Sequence, residues 1–297
     1  MLEVRNIEKS FGKISAVKNI SFNLEKGYVL GVIGENGAGK STTLRIISGL
    51  LKPDRGEVLY EAMNLFENLR KIKRKIGYLP EYDALYDNLD AVSYLKMFAE
   101  IYGVDVDLAE RRIHDLLDSL NLPPDREIGN FSKGMKRKLS IARTLVHDPD
   151  YLIYDEPTSG LDPATSLAVS EFIKEQGKNG KAVVFSAHNM FYIETACDHL
   201  LIIKGGEVLY SGTIDDLREM MKKYVVVVDY NGKEKEFITD SVGEVNRIIK
   251  ETVQDGREVV RIETKIPRLE EIYFRLTNSS NTITSGSRNQ NKGPDRS

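Results

Sequence analysis

The run Val29-Leu30-Gly31-Val32-Ile33-Gly34-Glu35-Asn36-Gly37-Ala38-Gly39-Lys40-Ser41-Thr42 restricts the chain more than any other stretch. Its apolar start reads as a buried strand, its glycines as a tight turn, and Lys40 onward, through Leu44 and Ile47, as a helix. Such a turn leaves consecutive backbone N–H groups pointing inward at the helix's positive end, an arrangement that suits a polyphosphate. Glycine at these positions avoids the Cβ atoms that would obstruct the curl. Lys40 then reaches the β and γ phosphates, and the Ser41 hydroxyl ligates the Mg²⁺ that bridges them. The spacing G-x-x-x-x-G-K-S, Gly34 to Ser41, predicts a nucleoside triphosphate site in an α/β fold.

A chain of 297 residues with 41% hydrophobic content fills one large α/β domain and a smaller second one. Forty-two basic residues against 45 acidic ones give a net charge of −3, so no global field draws the protein to nucleic acid or anionic lipid, although a local patch stays open. Cys197 is the sole cysteine, which excludes an intramolecular disulfide and fits a reducing cytosol, and no Cys/His spacing suggests zinc. The N-terminus is charged throughout and reads as no signal peptide. No run of roughly eighteen apolar residues occurs, so the chain is expected not to cross a membrane.

From Leu2 to Leu24, alternating runs read as antiparallel strands, with Phe11 in their turn as either a core aromatic or a ring on which a base stacks. Gly-Glu-Val-Leu-Tyr occurs twice, at Gly56 to Tyr60 and at Gly206 to Tyr210, and both copies read as exposed hairpin edges. Ile76 to Leu79 is a strand that stops at Pro80 and delivers Glu81. Between Asp90 and Leu120 the period becomes helical, with stripes Val92-Leu95-Phe98-Ala99-Tyr102 and Ile113-Leu116-Leu117-Leu120. Ser132 caps a further helix running to Arg143, offering a second N-terminus to phosphate.

Tyr151 to Tyr154 is a wholly apolar strand that delivers Asp155 and Glu156, read as a metal-side aspartate and a catalytic base. Asp162 and Pro163 open the next helix. The strand ending at Ala187 presents His188, which reads equally as structural or functional. His114, His147 and His199 suggest no role. From Tyr224 the pattern becomes a small β-β-α-β-α appendage without a chemical motif, and the polar residues after it read as disordered.

Taken together, these pieces resemble the ATP-binding subunit of ABC transporters over roughly Met1 to Thr213. The resemblance implies that Gly34, Glu35, Asn36, Gly37, Ala38, Gly39, Lys40, Ser41 and Thr42 form the Walker A nucleotide-binding loop. Phe11 becomes the ring that stacks on adenine. Ser41, Glu81 and Asp155 face Mg²⁺, Glu156 and His188 are catalytic, and Asp162 belongs to the D-loop. Two departures stand out. The signature usually written LSGGQ is Phe131-Ser132-Lys133-Gly134-Met135, so Ser132, Lys133, Gly134 and Met135 occupy its working positions. Glu81 replaces the usual glutamine, an oxygen donor that now carries charge. Both variants, and the ending Pro267 to Leu276, look like the branch serving ABC-2-type exporters of drugs, sodium and polysaccharides.

The resemblance implies an ABC-type P-loop fold with an antiparallel β subdomain and an inserted helical subdomain at about 85–146. The ATP-binding domain is expected at 1–215, an accessory α+β domain at 222–277 and a disordered tail at 278–297. It further implies ATP and Mg²⁺ as cofactors and a head-to-tail dimer with itself or a related ATP-binding subunit. The partner is an integral membrane permease, with the chain peripheral on the cytoplasmic face, no nucleic acid bound, and a lean to export. Tyr82, Tyr86, Tyr94 and Phe98 read as permease contacts or as core. A soluble ABC-type ATPase of DNA repair or translation is the rival reading, and it would need a long coiled-coil insertion or two nucleotide domains. A small-molecule kinase or GTPase would leave the Asp155-Glu156 pair, Ser132 and His188 without work.

Overall fold

The computed structural model describes residues 1–82 and 84–278, and the chain divides into two compact units that meet between Ser211 and Gly212. The tail expected at 278–297 lies, beyond Asn278, outside the described residues. No helix among the described residues is long and apolar enough to cross a membrane.

The first unit opens with the antiparallel pair β1 (Leu2–Phe11) and β2 (Ile14–Leu24), then β3 (Val29–Ile33) and α1 (Lys40–Ile47). Next come β4 (Arg55–Tyr60), β5 (Met63–Asn64), α2 (Leu69–Lys73) and β6 (Ile76–Leu79). The helical insertion is α3 (Ala91–Tyr102), α4 (Val106–Ser119) and α5 (Lys133–Leu145). β7 (Tyr151–Tyr154), α6 (Pro163–Lys178), β8 (Ala182–Ser186), α7 (Met190–Ala196), β9 (His199–Lys204) and β10 (Glu207–Thr213), within which the unit boundary falls, complete it.

Two sheets share one core. The four-stranded sheet runs β2-β1-β4-β5 and the six-stranded sheet β10-β9-β3-β8-β7-β6. Strands β3, β6, β7, β8 and β9 pair in parallel, and β3, β7 and β8 are buried along their whole length, which is why they read as unbroken apolar runs. Leu44, Ile46 and Ile47 of α1 join Val4, Ile20, Tyr60 and Ile153 from the two sheets in one buried cluster. The Tyr60 hydroxyl is satisfied by donating to the Ile47 carbonyl at 2.7 Å, and its ring meets Tyr151 edge-on at 4.6 Å.

Of the two Gly-Glu-Val-Leu-Tyr copies expected at exposed edges, only the second, in β10, sits at a sheet edge. Strand β4, which holds the first, lies between β1 and β5 with Val58 and Tyr60 buried.

The insertion has its own core of Tyr94, Leu95, Ala99, Ile113, Leu117, Leu139 and Ala142. Its helices start where side chains cap them: Asp90 accepts from the Ser93 amide at 2.8 Å and Asp105 from that of Leu108 at 3.1 Å. The α3 stripe is rotated from the one expected on the sequence pattern. Ala91, Tyr94, Leu95 and Ala99 face inward, while Phe98 and Tyr102 are only half-buried. Tyr94 is therefore a core residue, not a permease contact.

The second unit holds α8 (Ile214–Met221), β11 (Lys223–Asp229), β12 (Glu234–Thr239), α9 (Val242–Gln254), β13 (Val259–Lys265) and α10 (Leu269–Asn278). Its antiparallel sheet runs β12-β11-β13. Val226 and Val228 of β11 pack against Val245, Ile248 and Ile249 of α9.

Candidate functional site

Parallel register levels four strand ends. Leu79 is level with Tyr154, Tyr154 with Phe185, and Val32 with Ser186. The residues just past these strands therefore emerge together at one edge of the sheet: Gly34 after β3, Pro80 and Glu81 after β6, Asp155 and Glu156 after β7, Ala187 and His188 after β8. The carboxyl ends of parallel strands are where such sheets meet ligands. A cleft of about 370 Å³ opens there, and its wall takes in Phe11, Glu35, Asn36, Gly37, Gly39, Lys40, Ser41, Thr42, Glu81, Glu156 and His188. Gly34 and Ala38 are buried behind that wall.

The loop's curl uses left-handed backbone at Gly37 and Gly39, with φ of +79° and +106°. A Cβ on Gly39 would strike the Ala16 carbonyl, and one on Gly34 the Ile203 carbonyl, while Gly37 has open space. At two of the three positions, then, the obstruction expected from the sequence comes from the protein's own strands β2 and β9. The Thr43 amide bonds back to the Gly39 carbonyl at 2.9 Å. The amides of Lys40, Ser41 and Thr42 precede that first helical bond and have no acceptor within the helix.

Lys40 is 6% exposed, and its ammonium donates to the Gly34 carbonyl at 2.7 Å and the Glu35 carbonyl at 3.3 Å. Burial pushes its pKa down, opposed by Glu156, Asp155 and Glu81. The Ser41 hydroxyl donates to Asp155 Oδ1 at 3.1 Å. Ser41, Asp155 and Glu81 form a set of hard oxygen donors that fits Mg²⁺, which keeps few protein ligands and completes its shell with water and phosphate. Among the described residues no cluster of three or more His, Cys, Asp or Glu forms an all-protein metal cage.

Asp155 and Glu156 are almost fully buried, at 1% and 5% exposure. Glu156 has a φ of +50°, an uncommon state for a residue with a side chain, so the chain turns sharply as it leaves β7. Burial raises the Glu156 pKa, partly offset by His188 and Lys40. His188 Nε2 lies 3.2 Å from Glu156 Oε1, within ion-pair range, yet that buried oxygen accepts no aligned hydrogen bond. Half of His188 is exposed, so its ring has room to turn into line with the carboxylate.

Ser186, to which the sequence pattern assigns no role, holds this pair together. Its hydroxyl donates to Asp155 Oδ1 at 2.8 Å and accepts the Glu156 amide at 3.0 Å. A small hydroxyl ending an otherwise apolar strand beside two carboxylates is the signal that could have marked it.

The signature residues do not enter this cleft. Ser132 caps α5 by accepting the Met135 amide at 3.2 Å, and Ser132 and Lys133 are exposed while Gly134 and Met135 are half-buried. The Lys133 ammonium lies over Gly160, where a Cβ would collide with it, and lines a second cleft with Tyr82, Ser159 and Leu161 that shares Glu81 with the first. Asp162 caps α6 by accepting the Thr165 amide at 3.0 Å, also outside the cleft. Phe11 is half-exposed at the cleft mouth, with Lys9 Nζ 5.9 Å from its ring centre.

A sequence profile described as ABC transporter matches residues 17–159. The ABC transporter ATP-binding protein NatA of Bacillus subtilis is 39% identical over 209 residues, 69% of this chain and 85% of that protein. The bacitracin transport ATP-binding protein BcrA of Bacillus licheniformis is 31% identical over 299 residues, 93% of this chain and 97% of that protein. Among solved structures, an ATP binding subunit of an ABC transporter is 34% identical with a TM-score of 0.67, over 73% of this chain and 92% of that one. An ATP-binding cassette solved as a dimer in a post-hydrolysis state with ADP and Pi is 26% identical with a TM-score of 0.65, over 72% of this chain and 99% of that one. Similarity on this scale, running through most of the residues that build the cleft, makes this protein a member of the ABC transporter ATP-binding family and an ATPase.

Proposed function

We propose that this chain is the motor of an ABC-2-type exporter, pairing head to tail with a second ATP-binding subunit on the cytoplasmic face of a membrane permease. ATP is held by the phosphate loop and Lys40, with Phe11 against the base. Ser41, Asp155 and Glu81 would hold Mg²⁺, which would supply charge neutralisation to the phosphates. Glu156 polarises the attacking water, since a buried carboxylate of raised pKa suits a base. His188 reads the terminal phosphate. Ser132, Lys133, Gly134 and Met135, with Asp162 nearby, close the partner's site.

One observation carries this reading: the loop, Glu81, Glu156 and His188 share a single cleft, with Asp155 bonded to Ser41 behind its wall, while the signature residues lie outside it in the same chain. A second copy supplies what the first lacks. Hydrolysis then removes the terminal phosphate that both helix ends address, and the halves separate. The name of one relative, a Nod factor export ATP-binding protein, supports export.

The permease docks on a cavity of about 240 Å³ between the helical insertion and the sheet core, where Leu50, Phe98 and Tyr102 offer apolar surface and Lys73 and Arg143 offer charge. Purified Glu156→Gln tests the whole reading. It is expected to bind ATP, to sediment as a dimer with ATP alone, and to turn over about 10²–10⁴ times more slowly. Near-normal turnover would remove Glu156 from the role, and a monomer at saturating ATP would remove the clamp. Isolation of the native complex with a subunit of several apolar spans tests the permease.

A further inference from the structure

Three backbone carbonyls in a row, those of Asp155, Glu156 and Pro157, face the same buried cation. Arg137, on α5 and only 3% exposed, donates through Nη2 to Asp155 O at 3.0 Å and Glu156 O at 2.8 Å, and through Nε to Pro157 O at 3.0 Å. Its Nη1 reaches a second segment, donating to Pro80 O at 2.8 Å. In extended chain successive carbonyls point to opposite sides. Here the left-handed Glu156 breaks that alternation, and a planar fork of donors collects the result.

We propose that Arg137 is a positioning residue for hydrolysis: it fixes the turn that aims Glu156 and the residue before Glu81 against the helix that begins at Ser132. The inference rests on Glu156 being the base. It adds a physical link from the signature helix to the two acidic residues of the same chain's cleft. Pro80 stands directly before Glu81, and Ser132 lies five positions before Arg137, so one side chain ties three working segments into a unit. A shift of α5 on meeting a partner would therefore reach Glu156 and Glu81 directly. Lysine keeps the charge and the stem, yet its three donors on one atom have no fork to span both segments.

The test is Arg137→Lys, alone and combined with Glu156→Gln, with kcat, KM for ATP and thermal melting read on the full chain. Arg137→Lys is expected to lower kcat about tenfold or more while KM for ATP stays within about threefold and the melting curve stays close to that of the parent. In the Glu156→Gln background it is expected to cost less than about twofold further, because what it aims is already gone. An unchanged kcat in Arg137→Lys, or losses that multiply in the double variant, would overturn the proposal. Should Arg137→Lys not fold, Arg137→Gln takes its place, and failure of both to fold makes the residue a structural strut and ends the proposal. If Glu156→Gln itself turns over normally, the assignment of the base has failed, an outcome distinct from a normal Arg137→Lys.

Discussion

Glu156 and Asp155 are neighbours in sequence to which the proposed mechanism gives opposite tasks, and one hydroxyl bonds to both of them. Ser186 gives its proton to Asp155 and takes the amide proton of Glu156, so both ends of the carboxylate pair are referred to the end of β8. Removing it leaves the buried Glu156 N–H without its acceptor and Asp155 Oδ1 with the Ser41 hydroxyl as its remaining donor. Ser186→Ala is expected to lose about 1–3 kcal/mol of stability, read by chemical denaturation, and to lower turnover with nucleotide affinity nearly kept. A variant as stable and as fast as the parent would show that the two bonds are incidental. That Lys40, Ser41, Asp155 and Glu156 come together was legible in the sequence, because a phosphate-loop pattern and an apolar strand delivering two carboxylates place them at strand ends of one sheet. Ser186 and Arg137 were not, since a serine at a strand end and an arginine in a basic helix are ordinary until the strands are brought level.

Helices show the same division. The caps at Asp90, Ser132 and Asp162 were readable or nearly so because they are local, whereas which face of α3 turns inward depends on α4 and α5. The short α2, α7 and α8, of five, seven and eight residues, are too brief to display a period. On the face left half-buried, Tyr102 of α3 stacks on His147 just after α5, with ring centres 3.7 Å apart and planes 4° from parallel. His147 Nε2 meets the Ile76 carbonyl at 3.2 Å, while its buried Nδ1 has no partner. A second proton would sit on that orphaned nitrogen, and burial holds the pKa down at about 4. The folded state thus binds this proton more weakly than the unfolded chain, whose histidine titrates near 6.5. The stabilisation is complete above about pH 6.5 and is lost as pH falls toward 4, by roughly 2 kcal/mol after allowing for partial exposure. Melting temperature measured from about pH 7 down to about pH 4.5 is expected to fall less steeply in His147→Phe, which keeps the stack and removes the titration. Equal slopes would assign the acid loss to other groups.

At the scale of the molecule, each chain offers one phosphate cleft and one signature helix that does not reach it, so a pair of chains in head-to-tail contact makes two composite sites. That geometry predicts complementation between two defective proteins. Lys40→Ala weakens the cleft by withdrawing the ammonium from the phosphates and leaves α5 intact. Ser132→Asp keeps an equally good helix cap, so α5 remains formed, and sets a negative charge against the partner's terminal phosphate. Each variant alone has two damaged sites per pair and is expected to be nearly inactive. In an equal mixture about half of the pairs are mixed, and each mixed pair has one wholly intact site, an intact cleft facing an intact signature helix, beside one doubly damaged site. Steady-state ATPase assays are therefore expected to show recovery toward about a quarter of the parent rate if the two sites fire independently, and less if both must close together. If cleft and signature helix instead served one another within a single chain, no mixture would regain activity, because every chain present carries one defect. The same assay thus separates a motor assembled between copies from one complete in itself, and because Lys40 is buried, a melting curve of Lys40→Ala close to that of the parent is the control that its fold is kept.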